Sequence, residues 1–302
     1  MTMALTKAVT AGVGLQPSWA AASVEKPQVL LIQCPDRPGL VFEVTGALFR
    51  RGVNITGNQE YVDLPTRTFY MRTEFQGEIV VPELLSFLRR KLPEGARVFH
   101  SRLEPKRMVV LATKEHHCVA DILIRQSFGE LNATVLGVIA NQLHLRSLVE
   151  RFDLPFYHLP CTGTNPDPQE REVLKLVSSL NPDYLVLAKY MRILSSGFCH
   201  RYPSQIINIH HSFLPAFAGA RPYQQAFDRG VKVIGATAHF VTSELDSGPI
   251  IAQEVVPVDH THSAEDLRRC GRDVEQLTLA RALKLVFEDR VLLCGNRTVI
   301  FD

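Results

Sequence analysis

No run of apolar residues in this chain reaches the roughly 18 that a membrane-crossing helix needs, so a membrane partner is not expected. The basic residues form no stripe, and the formal net charge is only +2 over 302 residues. Nucleic-acid binders concentrate Lys and Arg on one face, so that class is excluded as well. Six cysteines, at Cys34, Cys118, Cys161, Cys199, Cys270 and Cys294, contain no C-x-x-C pair. That spacing argues against a zinc ribbon or a dithiol redox motif and for reduced, mostly buried thiols in the cytoplasm. Glycine is missing where a dinucleotide fold requires it. The apolar run Met108 to Ala112 is followed by Thr113-Lys114-Glu115-His116-His117-Cys118, not by G-x-G-x-x-G. No G-x-x-x-x-G-K-[ST] occurs either, so both common phosphate cradles are absent from the sequence.

What remains is an ordinary globular composition, 46% hydrophobic and 21% charged, long enough for two domains. Residues 1–26 carry one charge, Lys7, before Glu25, and Gly12, Gly14 and Pro17 break their apolar stretches. They read as a disordered extension rather than a cleaved signal. From residue 27 the pattern becomes regular. Val29 to Ile32 reads as a buried strand. Leu40, Val41, Val44, Leu48 and Phe49 recur at helical spacing and stop at Gly52. Asn54 to Val62 and Thr66 to Phe75 read as a hairpin, Pro82 opens a second helix to Leu92, and Ala96 to Arg102 is a fourth strand. This β-α-β-β-α-β order predicts a ferredoxin-like domain over residues 27–104.

In residues 105–302 short Val/Leu/Ala-rich strands (Met108 to Ala112, Thr134 to Ile139, Tyr184 to Ala188) alternate with helical segments at His117 to Gln126, Leu143 to Phe152 and Gln169 to Ser179. The alternation predicts an α/β, Rossmann-like domain with a mostly parallel sheet covered on both faces. A long closing helix is predicted over Ser263 to Glu288, with Ser263 and Asp266 as its capping pair.

The chemistry concentrates in Ile206-Ile207-Asn208-Ile209-His210-His211-Ser212-Phe213-Leu214-Pro215. An apolar strand delivers an amide and an imidazole near its end, and period two puts Asn208 and His210 on one face. Ligands of parallel sheets bind at the carboxyl ends of strands. Further on, Gly235 to Phe240 leads into Leu245-Asp246-Ser247-Gly248-Pro249, which carries a carboxylate into a loop between two apolar strands. An amide can stabilise an oxyanion, an imidazole moves protons near neutral pH, and a carboxylate can orient that imidazole or act on a water. Neighbouring strand residues point to opposite faces, so His210 and His211 are expected to face apart and not to share an ion. Asp259-His260-Thr261-His262 reads as a solvated turn before the long helix, and no metal site is expected.

The segments N-I-H-H-S-F-L-P and H-F-V-T-S-E-L-D-S-G-P-I-I resemble the signature of the folate-dependent formyltransferases. The resemblance is closest to the formyltetrahydrofolate deformylases, through Lys114 to Cys118, Leu187 to Met191, Ile206 to Tyr223 and Gly295 to Val299. It covers nearly all of the chain from Pro27. It implies a catalytic trio of Asn208, His210 and Asp246 that releases formate from 10-formyltetrahydrofolate without metal or cofactor, the formate serving purine synthesis. It also implies folate contacts at Met191, Arg192, Ile193, Leu194, Val241 and Leu245, and pocket-shaping by Lys114, His117, Cys118, His211 and His239. Transfer of the formyl group to an amine is the alternative. The missing phosphate-binding turn, and His211 where the transferases carry Pro, favour water. A non-catalytic folate or amino-acid sensor is a third reading, and a tRNA-formylating enzyme is disfavoured for want of a basic surface. Cys34-Pro35-Asp36-Arg37-Pro38-Gly39-Leu40 resembles the turn of ACT domains. It implies an amino-acid effector held by Asp36, Arg37, Pro38 and Gly39, with Asn54 facing the same region, at an interface that makes the protein a homodimer or homotetramer.

Overall fold

The computed structural model describes residues 27–161, 167–215 and 222–302. The expected N-terminal extension over residues 1–26 lies outside the described residues. The first unit comprises β1 (Gln28–Pro35), α1 (Leu40–Phe49), β2 (Asn54–Asp63), β3 (Thr68–Gln76), α2 (Val81–Lys91) and β4 (Arg97–Ser101). Its sheet runs β2-β3-β1-β4, every pair antiparallel, which is the expected split βαβ arrangement. Gly39 sits at the start of α1 with φ +88°, a left-handed backbone in which glycine is not strained. Leu40, Val44, Ala47 and Leu48 of α1 and Leu84 and Leu88 of α2 are buried. They pack on Leu30, Ile32, Met71 and Phe75 of the sheet. Each fully buried side chain of this kind contributes roughly 1.5–3 kcal/mol.

The second unit contains β5 (Lys106–Ala112), α3 (His117–Ser127), β6 (Ala133–Ala140), α4 (Arg146–Glu150), β7 (Phe156–His158), α5 (Asp167–Leu180), β8 (Tyr184–Ala188), α6 (Ser196–Arg201), β9 (Ile206–His210), α7 (Pro222–Asp228), β10 (Val233–Phe240), β11 (Ile250–Pro257), α8 (Ala264–Phe287), β12 (Val291–Cys294) and β13 (Arg297–Ile300). Its main sheet runs β11-β10-β9-β8-β5-β6-β7. The pairs from β9 to β7 are parallel, while β10 is antiparallel to both β9 and β11. The expected mostly parallel sheet is present, with a reversed edge beside β9. Alternation along β5 feeds two cores. Met108, Val110 and Ala112 pack with α3 and α8, whereas Val109 and Leu111 pack with Val173 and Val177 of α5.

The helix expected over Leu143 to Phe152 is shorter than predicted. A 3-10 turn, Leu143–Leu145, leads into the five residues of α4. Leu145 and Val149 are buried but Leu143 is exposed, so nothing anchors the first turn as α-helix. The long closing helix is present and carries a complete capping box between Ser263 and Asp266.

The two units are tied at the far end of α8. Arg72 of β3 is 4% exposed. It donates through Nε to the Asp289 carbonyl and through Nη2 to the Glu288 carbonyl, both at 2.9 Å. Its Nη1 pairs with Glu74 at 2.6 Å. A cation satisfying the last carbonyls of a helix also complements the helix dipole. We expect Arg72→Met to cost about 1.5–3 kcal/mol, the range for hydrogen bonds made by a charged group. A lowered urea midpoint would register this loss. An unchanged midpoint would show that the cap contributes nothing.

Candidate active site

Strand β9 is buried along its length apart from the partly exposed Asn208. Pairing with β10 sets Asn208 opposite His239 and His210 opposite Thr237. Across that pair Asn208 Nδ2 lies 3.2 Å from His239 Nε2. His239 Nδ1 is 2.9 Å from the Phe240 carbonyl, which can only accept, so Nδ1 carries a proton. The His239 Nε2 lone pair then accepts from Asn208. The 3.7 Å separation of this nitrogen from Asp246 Oδ1 is too long for a competing hydrogen bond. The second amide hydrogen of Asn208 is left for a ligand.

His210 Nδ1 is 3.2 Å from Asp246 Oδ2. That hydrogen bond holds the Asp246 carboxyl well below the usual carboxylate range. His210 is 6% exposed, and its Nε2 is buried with no partner among the described residues. A buried nitrogen without a partner carries a penalty, which a substrate or water relieves on binding.

All three residues line a cavity of about 410 Å³, within the size range of small-molecule sites. Its walls come from residues 187–194, which end and follow β8, and residues 241–246, which follow β10. Each expected folate contact is in the lining: Met191, Arg192, Ile193, Leu194, Val241 and Leu245. Met191, Ile193 and Leu245 are exposed apolar side chains that offer a surface to a flat ring. A wider, shallower hollow of about 740 Å³ near Arg102 and Arg107 contains none of these groups.

Of the expected pocket-shaping residues, His211 and His239 line the cavity and Lys114, His117 and Cys118 do not. Lys114 is exposed. Cys118 is fully buried, and burial pushes its thiol well up, as for a small core residue. The expectation that His210 and His211 face apart is corrected. Their rings stack at 4.9 Å with 22° between planes. Pairing of β9 ends at His210, so the strand alternation no longer governs His211. Fully buried Thr237 fixes the segment that follows. Its hydroxyl donates to the Ser212 carbonyl at 2.9 Å and accepts from Leu214 N at 3.0 Å.

Residues missed by sequence reasoning lie behind this pair. Lys189 lines the cavity in a left-handed backbone, φ +59°, an uncommon state for a residue other than glycine. Its Nζ is 3.1 Å from Glu275 Oε2. Glu275 is 1% exposed and also meets His117 Nε2 at 2.7 Å and the Tyr223 hydroxyl at 2.6 Å. Burial opposes the Glu275 charge, but the His117 bond, the Lys189 ammonium and Tyr223 outweigh it and bring the carboxyl down to about 2. Among the described residues, His117, Cys118 and Glu275 are close enough to share a cation. The Lys189 ammonium already supplies the positive charge there, so the donor set fits an ion pair better than a metal. The available signal was an acid on the buried face of α8, among Gly271, Val274, Thr278 and Leu279.

In the first unit, Asp36, Arg37, Pro38 and Gly39 form an exposed turn, which Arg37 Nη2 ties to the Lys91 carbonyl at 2.8 Å. Within one chain, Asn54 does not face it. Pro35 pairs with Thr68 and Asn54 with Gln76, so the two lie at opposite ends of β3. The crossover helix α1 returns the chain to the other edge of the sheet before β2 begins. Asp259 to His262 forms the expected exposed turn, with Asp259 accepting from Thr261 and His262.

Residues 106–283 match the formyl transferase family and residues 28–90 the ACT domain. The chain is 47% identical over 277 residues to the formyltetrahydrofolate deformylase of Haemophilus influenzae, covering 92% of this chain and 99% of that one. A solved formyltetrahydrofolate deformylase structure from Pseudomonas syringae superposes with a TM-score of 0.87 at 44% identity, covering 91% and 94% of the two chains. Glycinamide ribonucleotide transformylase 1 of Symbiobacterium toebii superposes with a TM-score of 0.63 at 30% identity, covering 70% of this chain and 100% of that one.

The half-buried His211 and the buried Glu275 make stability depend on pH. Burial, then the Lys189 ammonium and His210, pull His211 from 6.5 down to about 4. The unfolded chain therefore takes up this proton first, and folded stability falls as pH drops from 6.5 towards 4. Glu275 adds stability that is full above 4.5 and is lost towards about 2. The urea midpoint is expected to fall between pH 7 and pH 5, and His211→Gln to flatten that fall. An unaltered slope in the variant would assign the dependence elsewhere.

Proposed function

The chain belongs to the formyltetrahydrofolate deformylases and hydrolyses formyltetrahydrofolate, and from that premise we propose that Asn208, His210 and Asp246 carry the reaction. The observation that supports this most is the buried Nε2 of His210, without a partner among the described residues, on a ring held by Asp246 and two strand positions from Asn208. Hydrolysis adds the oxygen of water to the formyl carbon and breaks its bond to the folate nitrogen. One water proton ends on that nitrogen, leaving formate and tetrahydrofolate. His210 Nε2 takes the proton as water attacks and returns it to the departing nitrogen. Asp246 accepts a hydrogen bond from the Nδ1 N–H and stabilises the ring while it is charged. The free amide hydrogen of Asn208 meets the oxyanion of the tetrahedral intermediate. The pterin ring lies against Met191 to Leu194, Val241 and Leu245. The residues of the scheme call for no metal or cofactor, and the formate released feeds purine synthesis.

We further propose that the ACT turn Asp36 to Gly39 takes an amino-acid effector, since free backbone N–H groups at a helix start bind carboxylates. Its interface is a second ACT domain, which makes the protein a dimer or tetramer in the cytoplasm. Asn54 would then reach the ligand only from the partner subunit. No helix among the described residues is long and apolar enough to cross a membrane.

A formate assay with 10-formyltetrahydrofolate and no added amine tests the catalytic reading. Wild type is expected to release formate. Asn208→Ala should lower kcat by about 10²–10³, and His210→Ala and Asp246→Ala by about 10²–10⁴. No formate until an amine is supplied would make the protein a transferase. For the effector, calorimetry of the full chain against the common amino acids is expected to give saturable heat that Gly39→Val abolishes. No heat with any of them would remove the effector proposal.

A further inference from the structure

The last residues of the chain join the ACT sheet to the loop that carries Asp246. After α8 the hairpin β12–β13 packs Leu292, Cys294, Val299 and nearby Phe301 on Tyr70 and Leu31 of the ACT sheet. Arg297 Nη2 binds Asp63 Oδ1 at 2.8 Å. Asp63, 1% exposed, ends β2. The other side of the hairpin faces the catalytic loop. Asn296 Nδ2 donates to the Ser247 carbonyl at 2.9 Å, and Thr298 Oγ1 to the Ile250 carbonyl at 2.6 Å. Ser247 directly follows Asp246.

Asp246 needs such support. It holds φ +53°, a left-handed state that persists only where the surroundings impose it. At Gly248 any Cβ would collide with the Phe240 carbonyl oxygen, and Phe240 N binds the Pro249 carbonyl at 2.9 Å. β10 therefore fixes the loop on one side. The hydrogen bonds from Asn296 and Thr298 fix the other.

We propose that Asn296 and Thr298 are positioning residues for Asp246, and that the C-terminal hairpin is the strut through which the ACT domain sets the Asp246–His210 geometry. This rests on the hydrolytic reading above. Neither side chain lines the cavity, so their effect runs through the backbone of the loop that carries the Asp246 carboxylate. Loss of either bond lets the loop shift. The Nδ1 hydrogen bond of His210 then weakens and the ring loses its fixed orientation.

The test uses the full chain and the formate assay, with kcat and KM read for each variant. Asn296→Ala with Thr298→Val is expected to lower kcat about tenfold and leave KM within about twofold. Thr298→Ser keeps the donor and should restore the wild-type kcat when combined with native Asn296. Asn296→Asp removes the donor and should behave as Ala. In the Asp246→Ala background the Asn296 and Thr298 changes should add no further loss, because the group they position is gone. Losses that multiply in that background would overturn the positioning role. Arg297→Met cuts the ACT side of the strut and should likewise lower kcat with KM little changed; an unchanged kcat would refute the coupling to the ACT domain. Wild type without formate release would instead sink the hydrolytic reading, which these comparisons keep separate.

Discussion

The site depends on how the chain turns back between β10 and β11. The backbone at Gly248 comes so close to the Phe240 carbonyl that no side chain fits, and Asp246 takes a left-handed conformation two residues earlier. Only with that reversal does a carboxylate from beyond β10 come within 3.2 Å of an imidazole at the end of β9. The ordering cost is local, and the ladder between β9 and β10, together with the hairpin bonds, offsets it. A looser loop would leave the His210 ring without its anchor.

Charge is distributed around this point with little waste. Asp246 faces His210 on one side of the cavity. Behind it, Lys189 and Glu275 neutralise each other out of water, with Tyr223 and His117 completing the carboxylate's hydrogen bonds. A buried pair of this kind is costly to desolvate and contributes little to net stability. It does keep a cation beside the neutral, stacked His211. The His210 imidazole therefore has a carboxylate on one edge and an uncharged ring on its face.

The two domains share more than a linker. Helix α8 carries Glu275 at its middle and ends under Arg72 of the ACT sheet. The chain then continues into the hairpin that holds the Asp246 loop. One continuous stretch of some forty residues thus touches the ACT sheet, the buried ion pair and the Asp246 loop. A change in the ACT domain has two short physical routes to the site.

Much of this was legible in the sequence, and the reason differs by feature. Both sheets follow from hydrophobic period and the order of elements. Asn208 and His210 stood out because β9 is an apolar strand interrupted by an amide and an imidazole, whereas Asp246 was picked out by the resemblance of its loop to the formyltransferase signature. Lys189, Glu275, Thr237 and the hairpin bonds were not legible, since each acts through a partner more than twenty residues away in sequence. The stacking of His211 was misread because strand alternation stops where pairing stops, and only the ladder shows where that is. Asn54 was misplaced because the end of the sheet at which a strand starts depends on the crossover. The sequence by itself determined which side chains exist to do the chemistry and which segments bury, because those depend on residue type and local period. Tertiary structure alone decided which carboxylate meets which imidazole and what holds them there, because those contacts depend on strand pairing and loop reversal between distant segments.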